Sequence, residues 1–201
     1  PELDQQHASE VPHQIAFNGK CYQIPSSRFW LTARDFPTMS SAAKSGCAML
    51  PHILMEHRVA IDQYQSFDRM LETNDQGHNS VERPLVRDIF VAETDEQAAA
   101  SALDAYYELY QHHANYCEIL TAQNQLKVAE ECSPEELMSH HVIIGSAETV
   151  TTELIAIIEQ TRADQILTRV TVPGINRQDM LNSLSLLHQQ VNPNLSAYLT
   201  A

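Results

Sequence analysis

The stretch LVRDIFVAE, residues 85–93, constrains the fold of this chain more than any other. An apolar run rich in β-branched and aromatic residues reads as a strand. Thr94-Asp95-Glu96-Gln97 follows without a spacer. That is a capping box: the Thr94 hydroxyl can accept from the Gln97 N–H, while the Gln97 side chain reaches back. The two acids also suit the positive end of a helix, so a helix is predicted from Ala98 to about His113. A strand that passes straight into a helix, without alternating apolar and polar residues, belongs to a parallel sheet covered on both faces.

The same pattern recurs along the chain. FWLT at 29–32 is a strand, residues 38–45 a short helix with Gly46 as its stop, and CAMLPHI at 47–53 another strand. Apolar spacing predicts a helix from His57 to about Thr73. Ser133-Pro134-Glu135-Glu136 is a second capping box, and Ser146 caps a helix after VIIG. DQILTRV at 164–170 is the next strand, and the last helix, carrying Leu184, Leu187 and Val191, is expected to stop near Pro193. Residues 1–27 read as an irregular lead-in with an Asn18-Gly19 turn. The alternation predicts an α/β fold of four main parallel strands joined by helical crossovers. A small open sheet and half of a closed eight-stranded barrel both satisfy it.

Charge narrows the partners. With 26 acidic and 12 basic residues, the formal net charge of −14 argues against nucleic acid and anionic membrane surfaces. No apolar run reaches the roughly 18 residues of a membrane helix. The opening PELDQQHASEVPHQ lacks the basic-then-apolar order of a secretory leader, so a cytoplasmic location is expected. Cys21, Cys47, Cys117 and Cys132 form no C-x-x-C pair, and free thiols are expected. The pairs His112-His113 and His140-His141, and the spacing of His52 and His57, miss helical metal-ligand geometry; no metal is expected.

Four segments, in order, carry a resemblance. VIIGSAETV leads to LTRV (167–170), then Pro173-Gly174, and ends on Val191-Asn192-Pro193-Asn194-Leu195. LVRDIFVAETDEQA, FWLTARDFPTMSSAAKSGCAML and FNGKCYQI precede it. Together they resemble the C-terminal end of the bacterial luciferase-like flavin-dependent monooxygenases, with Ala147 where that family has proline. The resemblance covers most of residues 16 to 196 and implies strands five to eight of a (β/α)8 TIM barrel: a lead-in over 1–27 and a half-barrel over 28–201.

The same resemblance implies a function. Reduced FMN from a separate flavin reductase would react with oxygen to oxidise a small organic substrate, with a deazaflavin cofactor as the alternative. Catalytic residues are expected outside this chain. Because the chain opens on Pro1, the N-terminal half of the barrel or a second subunit is expected to complete it. By the same alignment Arg34, Asp35 and Thr38 fall on the turn that holds the flavin phosphate, where helix N-terminal amides favour an anion. The plain alternative for that turn is a helix cap. Arg169 falls at the mouth of the final strand, as a cofactor contact or a rim ion pair. A non-catalytic flavin-binding or assembly subunit is the other reading.

Overall fold

The computed structural model describes residues 16–17, 20–21, 29–33, 35–77, 81–112 and 133–199. A short antiparallel pair, β1 (Ala16–Phe17) and β2 (Lys20–Cys21), comes first. The predicted Asn18-Gly19 turn and most of the lead-in lie outside the described residues. Then follow β3 (Trp30–Ala33), α1 (Phe36–Ser45), β4 (Ala48–Pro51), α2 (His57–Thr73), β5 (Pro84–Ala92) and α3 (Asp95–His112). The last third runs α4 (Pro134–His140), β6 (Val142–Ser146), α5 (Ala147–Thr161), β7 (Gln165–Arg169), α6 (Arg177–Leu186), a π segment at Leu187–Val191 and α7 (Asn192–Leu199).

Every ladder among β3 to β7 is parallel. β3 pairs with β4, Trp30 opposite Ala48, and β5 is central to a second sheet in the order β6-β5-β7. The first half of β5 pairs with β7, Leu85 opposite Ile166, and its second half with β6, Ile89 opposite Ile143. This corrects the count of four strands: five parallel strands are described, because VIIGS adds a rung beside the carboxyl half of β5. Tyr64 on α2 bridges the two sheets, its hydroxyl lying between the Met49 carbonyl (3.2 Å) and the Pro84 carbonyl.

β5 shows why its sequence reads as continuously apolar. Leu85, Ile89 and Val91 face a core shared with α2, α5 and the π segment. Phe90, on the opposite face, packs with Ala102, Tyr106 and Tyr110 of α3. Both faces are buried, as parallel strands require. Among the described residues β3, β4, β6 and β7 each ladder on one side only, and β5 on both.

The helix ends follow the caps read from sequence. The Gln97 N–H donates to Thr94 Oγ1 at 3.2 Å, and the Thr149 N–H to Ser146 Oγ at 3.3 Å. Ser133 and Glu136 exchange both bonds of their box, at 3.0 and 3.2 Å. Gly46 ends α1 with φ 65°, the left-handed stop for which glycine is suited. The end of the last helix differs from expectation: it continues past Pro193 to Leu199. The π turn is the reason. The Asn192 N–H donates to the Leu187 carbonyl, shifting the ladder by one residue just before a residue that has no N–H to give.

Gly145 is a steric requirement. A Cβ there would meet Asp95 Oδ1 at 2.8 Å and Thr149 Cγ2 at 2.9 Å. Asp95 cannot move freely, because it accepts from the Ser146 N–H (2.6 Å) and from Thr149 Oγ1 (3.0 Å), tying α3 to α5. Gly145→Ala is therefore expected to cost about 2 kcal/mol, read as a fall of roughly 4–8 °C in Tm. Calorimetry checks it; an unchanged Tm would show that the contact relaxes freely.

Candidate functional site

Parallel α/β folds place ligands outside the carboxyl ends of their strands, where loops and helix N-termini converge. Three features lie there.

The first is a cavity of about 510 Å³ at the end of β5. Glu93 and Gln97 line it from the β5–α3 connection, Asp179, Asn182 and Ser185 from α6, and Gln189 and Gln190 from the π segment. Ser183 fixes that wall: fully buried, its hydroxyl accepts from the Val91 N–H at 2.9 Å, clamping α6 onto β5. Half of the lining residues carry uncharged amides or hydroxyls, Phe90, Val91, Ala92 and Leu186 are apolar, and there are two carboxylates and no lysine or arginine. The lining suits a polar, uncharged ring better than a phosphate.

The second is the turn at α1. Asp35 is its N-cap, and the Thr38 N–H donates to Asp35 Oδ1 at 2.8 Å. That backbone bond, with support from the Thr38 side chain, holds the Asp35 carboxyl below its usual range. Pro37 has no N–H, and the Met39 N–H donates to the Asp35 carbonyl at 3.1 Å. The amides of residues 37–39 are thus absent or spent, and a carboxylate sits where an anion would bind. As it stands, the turn does not fit a phosphate. Arg34 lies outside the described residues.

The third is Arg169, at the end of β7 and opposite Asp88 in the β5 ladder. Its Nε and Nη2 hold Asp88 Oδ1 and Oδ2 at 2.7 and 2.6 Å, a bidentate pair. Tyr110 donates to Asp88 Oδ2 at 3.1 Å, and Tyr106 to the Arg169 carbonyl at the same distance. Burial pushes the Asp88 carboxyl above its usual range, against the pull of Arg169. The structure therefore gathers Arg169 into a buried network and leaves Asp35 and Thr38 closed on each other.

Sequence reasoning passed over Arg87, Asp88, Tyr106 and Tyr110, and weighed His57 and His141 only as metal ligands. A signal was present: two adjacent charges inside an apolar strand, Arg87-Asp88, demand partners. Burial pulls His57 down to about 3 and His141 to about 4, so both rings are neutral at physiological pH. His141 Nδ1 faces the Leu54 carbonyl at 3.2 Å, which fixes the proton on that nitrogen. Among the described residues no cluster of His, Cys, Asp and Glu has the makings of a metal site, and no helix is long and apolar enough to cross a membrane.

No family model and no curated protein matches the sequence. Solved structures do match the fold. The oxygenating constituent of 3,6-diketocamphane monooxygenase from Pseudomonas putida, a type II Baeyer-Villiger monooxygenase in complex with FMN, aligns with TM-score 0.62 and 16% identity over 82% of this chain and 47% of its own. The coenzyme F420 dependent tetrahydromethanopterin reductase from Methanopyrus kandleri gives TM-score 0.61 and 10% identity, over 83% and 50% of the two chains. Flavoprotein 390 gives TM-score 0.56 and 13% identity, over 98% and 73%. The chain thus spans about half the length of the first two structures. These likenesses show a shared α/β fold.

Proposed function

We propose that this chain is the C-terminal half of a luciferase-like TIM barrel, with β3, β4, β5 and β7 as strands five to eight and β6 as an added rung, and a component of a flavin-dependent monooxygenase that uses reduced FMN and oxygen on a small organic substrate. The amide-lined cavity at the carboxyl end of β5 carries this reading, since it stands where such folds bind ligands and suits an uncharged polar ring. A bound reduced flavin supplies the oxygen chemistry; the chain's own part is to hold the ring and exclude water. Among the described residues β3, β4, β6 and β7 each lack a second strand neighbour, and Phe29, Leu31 and Phe36 are exposed at and beside β3. Both observations support completion by an N-terminal half or a second subunit.

A second reading has its own support. The Asp35 carboxylate closes the α1 turn against a phosphate, as in a non-catalytic assembly subunit. Titration of the full chain with FMN and riboflavin, oxidised and reduced, separates the two. Binding of both flavins supports the cavity; binding of neither supports the assembly subunit. Asp35→Ser keeps a capping hydroxyl while removing the negative charge. If Arg34 and Thr38 hold the phosphate, it will tighten FMN binding about tenfold and leave riboflavin unchanged. Equal effects on both ligands reject that placement. Oxygen uptake with FMN, set against hydride transfer without uptake for a deazaflavin, decides the cofactor. Full turnover by the chain alone would refute the half-barrel.

A further inference from the structure

Of the capping boxes at Ser133 and Thr94, only the first closes. Glu136 reaches back to the Ser133 N–H at 3.0 Å. The Gln97 N–H makes its half of the Thr94 box, but among the described residues the Gln97 side-chain amide has no hydrogen bond. That amide belongs instead to a residue lining the cavity at the end of β5.

The π segment supplies further amides to the same cavity. In a plain α-helix neighbouring residues diverge by about 100°, and the wider π turn narrows that angle. Gln189 and Gln190, consecutive in it, both line the cavity. Gln189 Nε2 donates to Ser185 Oγ at 3.0 Å, which leaves its carbonyl oxygen to accept. The Gln190 amide, like that of Gln97, has no hydrogen bond among the described residues. A carboxamide both donates and accepts, so its complement is an edge that carries an N–H beside a C=O. Buried Phe90 and Val91 add apolar lining for a ring face. Two carboxylates with no lysine or arginine disfavour an anionic ring.

We propose that Gln97, Gln189 and Gln190 determine the specificity of this cavity, by pairing with the N–H and C=O edge of a neutral planar heterocycle. On the flavin reading, on which this assignment rests, that edge is the N3 imide of the ring. Riboflavin carries it without a phosphate, so the α1 turn does not enter the test.

The full chain is titrated with riboflavin and with 3-methylriboflavin, whose N3 bears no hydrogen, and binding is followed by flavin fluorescence. The wild type is expected to bind riboflavin about tenfold more tightly than the methylated ring. Gln97→Met, Gln189→Met and Gln190→Met should each weaken riboflavin by about three- to tenfold. In the variant whose lost carbonyl accepted the N3 hydrogen, the preference over the methylated ring should fall to about twofold or less. All three side chains are exposed, so each variant should stay within about 2 °C of the wild-type Tm. Equal binding of the two rings by the wild type overturns this assignment and leaves the flavin cavity standing. A preference that survives in all three variants also overturns it, because the methyl group would then be meeting some other wall. A wild type that binds neither ring overturns both readings.

Discussion

Taking the protein from pH 7 to about pH 4.5 is expected to remove about 5 kcal/mol of stability, enough to unfold many domains. The cause is two buried histidines. His57 titrates at about 3 in the folded protein and His141 at about 4, against an ordinary value of 6.5. Between those values the unfolded chain binds a proton that the folded chain refuses, so stability falls as pH falls. Each ring contributes about 2–3 kcal/mol by pH 4.5. Burial is the main cause for both; Arg87 and His140 add repulsion at both, and His141 adds it at His57. The carbonyls of Val142 and Leu54 and the nearby Glu56, 3.9 Å from His141, oppose it. Asp88 works in the opposite direction, since burial raises its carboxyl and the fold accepts that proton early. Urea midpoints from pH 8 to 4 provide the measurement, and His57→Leu should flatten the slope. A wild type equally stable at pH 7 and pH 5 would disprove the account.

Arg169→Met is expected to cost about 3–5 kcal/mol, because it strands the fully buried Asp88 carboxylate with only the Tyr110 hydroxyl. The penalty comes from the unpaired charge rather than from the pair itself. Adding Asp88→Asn to Arg169→Met should therefore recover most of the loss. Arg169→Lys should recover little, since an ammonium cannot span both oxygens in the bidentate geometry. Denaturant unfolding of the wild type, Arg169→Met, Asp88→Asn and the double variant closes the cycle. A single-variant loss below about 1 kcal/mol would mean that Asp88 is protonated or solvated in the native state.

The parallel architecture was legible because its signals are local. Thr94, Ser133 and Ser146 announce helix starts within four residues, Gly46 announces a stop, and β5 shows burial on both faces as an unbroken apolar run. The site was less legible because its parts meet only in space. Gln97, Asn182 and Gln189 come from three elements, and nothing in their own neighbourhoods marks them as one wall. The extension past Pro193 escaped because a proline rule holds for an α-ladder and fails after a π turn. Arg169 was singled out for its position, but its partner Asp88 lies far back in the chain, and the adjacent charges Arg87-Asp88 announce that partners are needed without saying which.

The split ladder of β5 also bears on biosynthesis. Leu85 meets its neighbour only when Ile166 has been made, and Ile89 only when Ile143 has. At about 5–20 residues per second, the amino half of the strand stays bare on the ribosome for roughly 4–16 s. During that interval the nascent polypeptide exposes its stickiest segment, so its yield in a cell will depend on chaperone capacity as much as on equilibrium stability.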